Sequence, residues 1–167
     1  MTMRSRTLIL FILVLAVILL TGFSADQTDL SPRRIMNEYR SGKGFLSFSV
    51  PMFMARAFIP SENQDIKEAL RNIRRVRLLM CDDAANRCGE IGDCMHDFSE
   101  YFSQSGYVEI MQVRDKNSYI SINALPGDKC LRNLIMIVSS DNDFVVIHLS
   151  GSMTFEDFIE IINEELI

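Results

Sequence analysis

Apolar and polar positions follow several different rhythms along this chain. Residues 8–20 form an unbroken apolar run of 13, with Arg4 and Arg6 before it and Thr21-Gly22-Phe23-Ser24-Ala25 after it. A basic start, an apolar centre and a small-residue end make the three-part pattern of a secretion signal. Gly22 and Ser24 suit the −3 and −1 positions for cleavage after Ser24; cleavage after Ala25 would put Phe23 at −3. The alternative is an uncleaved anchor over residues 7–23, whose 17 residues meet the lower limit of a bilayer span.

Beyond residue 30 the pattern breaks into short elements. Ser31-Pro32 reads as a helix start, with Ser as N-cap and Pro in the first turn. Ile35, Met36 and Tyr39 mark its apolar face, and Gly42 and Gly44 end it. Residues 45–50 alternate as a strand, with Leu46, Phe48 and Val50 on one side and two serines on the other. Pro51 opens a helical stretch carrying Met52, Ala55 and Phe58, which Pro60 breaks. Ser61 to Gln64 has the form of a capping box. Ile66, Ala69, Leu70 and Ile73 then follow at helical spacing, and residues 75–81 return to a strand period. Residues 82–92 read as a polar, Gly-containing loop, and Met95, Phe98 and Phe102 as a helix over about 93–104 closed by Gly106. Four strands follow, over 107–114, 118–124, 131–139 and 144–150. Asp115-Lys116-Asn117 and Asp141-Asn142-Asp143 turn two hairpins, and Pro126-Gly127 fits the centre of a type II turn. Thr154 caps a last helix with Asp157 as its box partner, and Phe155, Phe158, Ile159, Ile162 and Leu166 form the stripe.

The order is α-β-α-α-β-α-β-β-β-β-α, which predicts an α+β fold: a mainly antiparallel sheet of about six strands with helices on one face. The apolar run Phe144-Val145-Val146-Ile147 predicts a central strand covered on both faces, at least in part. Residues 26–167 are one domain's worth of chain. The basic start takes two of the 17 basic residues and none of the 22 acidic ones, so this domain is clearly acidic. That balance argues against nucleic acid or an anionic membrane surface as a partner.

Cys81, Cys88, Cys94 and Cys130 form an even set in a chain expected to be exported, which points to disulfides. Cys88 and Cys94 are the easiest local pair, flanking the Gly-containing loop; a Cys81–Cys130 bridge would close the longest loop and stabilise more. The alternative is metal. Cys81, Cys88, Cys94 and His96 stand among Asp82, Asp83, Asp93 and Asp97 in a loop over 81–97, but tight C-x-x-C pairs are missing. Asp141 and Asp143 are hairpin-turn residues rather than a calcium loop, and Met52 and Met54 are core filling rather than copper ligands. Neither His96 nor His148 has a partner pattern for acid–base chemistry, and no nucleophile motif is present, so no enzyme and no cofactor are expected. The one basic run, Arg71, Arg74, Arg75 and Arg77, suits a carboxylate or phosphate ligand; as a solvated edge it would guard a strand from wrong pairing.

Three passages carry a resemblance: Phe45-Leu46-Ser47-Phe48-Ser49-Val50-Pro51 after a helix and Gly turn, the helix-to-strand passage over residues 70–79, and Asp143-Phe144-Val145-Val146-Ile147-His148-Leu149-Ser150-Gly151 before a terminal helix. Over residues 30–166 the chain resembles the bacterial exported family known as domain of unknown function DUF4252. The resemblance implies a small cell-envelope protein, some of whose relatives are encoded beside extracytoplasmic-function sigma factors. It implies no catalytic residues, and the Cys-rich loop departs from the family pattern. The expectation is a periplasmic or envelope domain that binds or signals through a protein partner, the membrane entering only through residues 7–23 if they are retained. A small-ligand or metal-binding domain using the 81–97 loop or the 71–77 run is the alternative.

Overall fold

Ser31 accepts the Arg34 N–H on its Oγ at 3.3 Å and so opens the first helix as its sequence demands. The computed structural model describes residues 31–40, 44–59 and 64–166; the expected export segment and positions 61–63 of the capping box lie outside them. The elements are α1 (Pro32–Arg40), β1 (Phe45–Pro51), α2 (Met52–Ala55) running into a 3₁₀ turn (Arg56–Phe58), α3 (Gln64–Ala69), β2 (Ile73–Cys81), a second 3₁₀ turn (Ala84–Arg87), α4 (Cys88–Ser105), β3 (Val108–Arg114), β4 (Ser118–Pro126), β5 (Cys130–Ser140), β6 (Phe144–Thr154) and α5 (Phe155–Leu166). This is the expected order.

The six strands form one sheet in the order β1-β2-β6-β5-β4-β3, with every neighbouring pair antiparallel. The last strand in the chain is thus at the centre, as its apolar run predicted. Side chains alternate across the sheet, so the register assigns each residue to a face. On one face, Phe45, Cys81, Phe144 and Ser139 lie in a row, followed by Ser47, Leu79, Val146 and Ile137, and then by Ser49, Arg77, His148 and Ile135. The other face carries Leu46, Met80, Val145, Val138, Ile120 and Val113, then Phe48, Leu78, Ile147, Met136, Ile122 and Met111. These two rows run edge to edge without a polar residue.

Helices flank the sheet on both faces rather than on one. α1 and α4 cover the first: Tyr39 packs on Phe45 with ring centroids 6.0 Å apart, and its hydroxyl donates to Asp97 of α4 at 2.7 Å. Ile91, Cys94 and Phe98 form the buried stripe of α4. α2 and α5 close over the second face, where Met52, Ile73, Ile122, Leu134, Met153 and Phe158 share one core with Leu70 and Ile162 against them. A sheet whose central strands are apolar on both sides must be clad on both sides.

Four ladders slip register along one line: between Ile73 and Arg75, Arg132 and Leu134, Asn123 and Leu125, and Glu109 and Met111. Aligned bulges of this kind bend the sheet. Asn133, with φ of 49°, and Gly151, with φ of 146°, stand at the bend, and the Asn133 Oδ1 accepts the Gly151 N–H at 3.2 Å.

Local chemistry follows expectation at several ends. The Asp157 N–H donates to Thr154 Oγ1 at 3.0 Å and the Thr154 N–H to Asp157 Oδ2 at 3.3 Å, the reciprocal box. Gly106, with φ of 73°, closes α4 in the left-handed conformation. The turn after β4 differs: the strand runs through Pro126, and the Gly127 N–H donates to the Cys130 carbonyl at 2.8 Å. Gly127 lacks the positive φ that a type II turn centred on Pro126-Gly127 requires.

Candidate functional site

The cysteines do not form a centre. All four are free thiols: Cys81 and Cys94 are buried, Cys130 is half-buried and Cys88 is exposed. Helix α4 begins at Cys88, five residues before the expected start, and so absorbs the expected loop. Within one helix, residues 88 and 94 are about 9 Å apart along the axis, beyond disulfide reach. Cys81 stands opposite Phe144 and Cys130 opposite Thr154, at the two ends of β6. At about 3.3 Å per residue that separates them by roughly 30 Å. Cys94 lies in the core, where burial, with the charge of Asp97 behind it, pushes its thiol up to about 12. Cys88 Sγ donates instead to the carbonyl of Ala85 at 3.2 Å. His96 points to solvent. Among the described residues no group of three or more His, Cys, Asp or Glu is placed to hold a metal ion.

The basic run is divided by the bend. Arg71 and Arg74, with Arg132, line a cleft of about 540 Å³ that opens at the bulge line beside Asn72, Asn133 and residues 150–152. Arg75 and Arg77 line a smaller one of about 260 Å³, together with Arg33, Asn37 and Arg40 of α1 and with Ser47 and Ser49 of β1. Arg77 is half-buried and donates from Nη1 to Ser150 Oγ at 3.1 Å. The same nitrogen lies 3.4 Å from His148 Nδ1. Burial, and after it the charges of Arg75 and Arg33, push the pKa of Arg77 down. His148 is buried beside it, and burial, with Arg77 second, lowers the imidazole to about 4. A neutral ring whose Nδ1 accepts from Arg77 carries its proton on Nε2, 3.5 Å from Ser150 Oγ. His148 therefore orients the arginine.

The second face of the sheet is the other candidate. α3 and α5 leave the first apolar row uncovered, and none of its six residues is buried. Leu46 is 61 % exposed, Phe48 42 % and Val113 41 %. The remaining large exposed apolar residues (Phe53 and Met54 on α2, Val108 on β3, Phe155 and Ile159 on α5) belong to elements of this same side. Strand β1 thus turns its apolar positions to water and its serines toward α1. Alternation showed that these two sets face opposite ways; which one meets solvent was not in the pattern.

The architecture is that of an α+β domain with a six-stranded antiparallel sheet between helices. The chain belongs to the family described as domain of unknown function DUF4252, whose model matches residues 39–161. No curated protein and no solved structure matches it. Arg40, Arg75, Arg77 and the apolar rows all fall inside the matched span, while Arg33 precedes it.

Proposed function

We propose that this is an exported envelope domain without chemistry of its own, which works by binding a protein partner through the uncovered face of its sheet. One observation carries the reading: Leu46, Phe48, Val108 and Val113 on the sheet, and Phe53, Met54, Phe155 and Ile159 on the helices of that side, are the large exposed apolar residues among those described. Eight side chains exposed by 41 to 74 % leave on the order of 800 Å² to water, the area per partner of a standard stable interface. Isolated exposed apolar residues are ordinary, but this many gathered on the strands and helices of one side mark a contact surface. The uncovered row holds no charge, so the occupant is a protein with a flat apolar surface rather than an acidic or basic segment. Envelope location rests on the sequence of residues 1–25, and signalling on the company implied by the family resemblance.

A photo-crosslinking residue placed at Phe48 or Val113 in the host's envelope should give a discrete protein adduct, and one at His96 on α4 should give none. Adding Leu46→Asp should remove the adduct at position 48 in a chain that still folds. Equal labelling from His96, or none from the sheet, would sink the proposal. The exported chain should begin at Ala25 or Asp26 by terminal sequencing; recovery only from the cytoplasm would remove the envelope half of the reading.

A further inference from the structure

We propose that the cleft between α1 and the β1–β2 pair is a binding site for a compact, phosphate-bearing polyanion. Two periodicities converge on it. Arg33, Asn37 and Arg40 recur at helical spacing and so share one side of α1. Arg75 and Arg77 alternate on one face of β2, and Arg77 stands directly across from Ser49. Helix above and strand below therefore aim four guanidinium groups and two serine hydroxyls into one space of about 260 Å³. That volume falls below the range of drug-sized pockets, which limits the ligand to a small one.

The charge balance of the cleft is not that of the protein. The chain has 22 acidic residues against 17 basic ones, yet among the described residues no carboxylate lines this space. Among the described residues the ion pairs Arg71–Glu68 and Arg87–Glu90 involve none of its arginines. Four like charges facing one another oppose the folded state unless something of opposite sign joins them. Arg77 makes both of its contacts through Nη1, so Nη2 and Nε stay available. The arginines arrive from two layers. A planar carboxylate receives guanidinium forks in one plane, whereas the tetrahedral oxygens of a phosphate accept them from several directions.

The test is calorimetric titration of the full chain with pyrophosphate, with citrate as the carboxylate competitor. A parallel arm uses vesicles bearing a phosphomonoester lipid, which separates a free ligand from a lipid-borne one. Saturable binding in either phosphate arm is expected, weakening with added salt. Arg33→Gln combined with Arg75→Gln should weaken it at least about tenfold, while Arg71→Gln in the neighbouring cleft should stay within about twofold. The double variant should melt no lower than the parent, because it relieves repulsion, and should lose the rise in melting temperature that pyrophosphate gives the parent. Absence of saturable binding overturns the site. An equal loss with Arg71→Gln overturns its location, and citrate binding as tight as pyrophosphate overturns the phosphate chemistry.

Discussion

His148 is where sequence and surroundings part most clearly. In sequence it is a histidine in an apolar strand with no partner pattern for acid–base chemistry; the neighbour it has in the fold could not be read there, because Arg77 is 71 residues away. The unfolded chain takes up a proton at this ring near pH 6.5, the folded protein only near 4. Between those values the unfolded state binds more protons, so stability is complete above pH 6.5 and falls as the pH falls toward 4. The contribution lost is on the order of 3 kcal/mol. Urea midpoints measured at pH 7, 5.5 and 4 should decline, and His148→Phe should flatten the part of the decline that exceeds ordinary carboxylate titration. An equal slope in the variant would remove His148 from the account.

At the level of elements, helix and strand types were legible wherever a period ran long enough. Caps were legible where a side chain closes its own turn, as at Ser31 and at Thr154 with Asp157. The start of α4 was not. Gly89 and Gly92 suggested a loop, but both face open space, where a glycine costs a helix only about 1 kcal/mol. Burial of Ile91 and Cys94 on the stripe of Phe98 outweighs that, and one helix replaces the supposed disulfide loop. The bulge line was equally hidden, because register is a relation between strands. Gly151 is the residue on which it turns. A Cβ there would sit 2.3 Å from the Asn72 carbonyl oxygen and 2.7 Å from Ile73 Cα, both backbone atoms. Gly151→Ala should therefore cost at least about 2–3 kcal/mol. Its denaturant midpoint beside that of Gly89→Ala, which should be neutral or stabilising, is the measurement; similar effects at the two sites would mean the bend is not constrained.

At the scale of the described domain, one face of the sheet packs under α1 and α4 and the other only in part under α2, α3 and α5, with a strand that comes late in the chain at the centre. The α+β class and the central place of residues 144–147 could be read from the order and the apolar run. The two-sided cladding, and the arginine convergence between α1 and β2, depend on packing across long separations and could not. β6 supplies Phe144, Val146, His148 and Met153 to the interior and, among the described strands, is the one that pairs with both β2 and β5. A chain ending at Asp143 should lack near-ultraviolet circular dichroism and be cut quickly by protease; native-like resistance would show that the two strand groups hold without it.

That placement bears on the export proposed above. A chain threaded amino-terminus first presents β1–β2 and the β3–β5 meander as two separate fragments, with nothing yet to span the gap between them. The span arrives only with residues 144–154, so in a chain exported as proposed above, premature closure on the wrong side of the barrier is opposed by the order of the strands themselves. An exported chain that must remain an open thread until it has crossed would gain from a keystone strand made after the strands it joins.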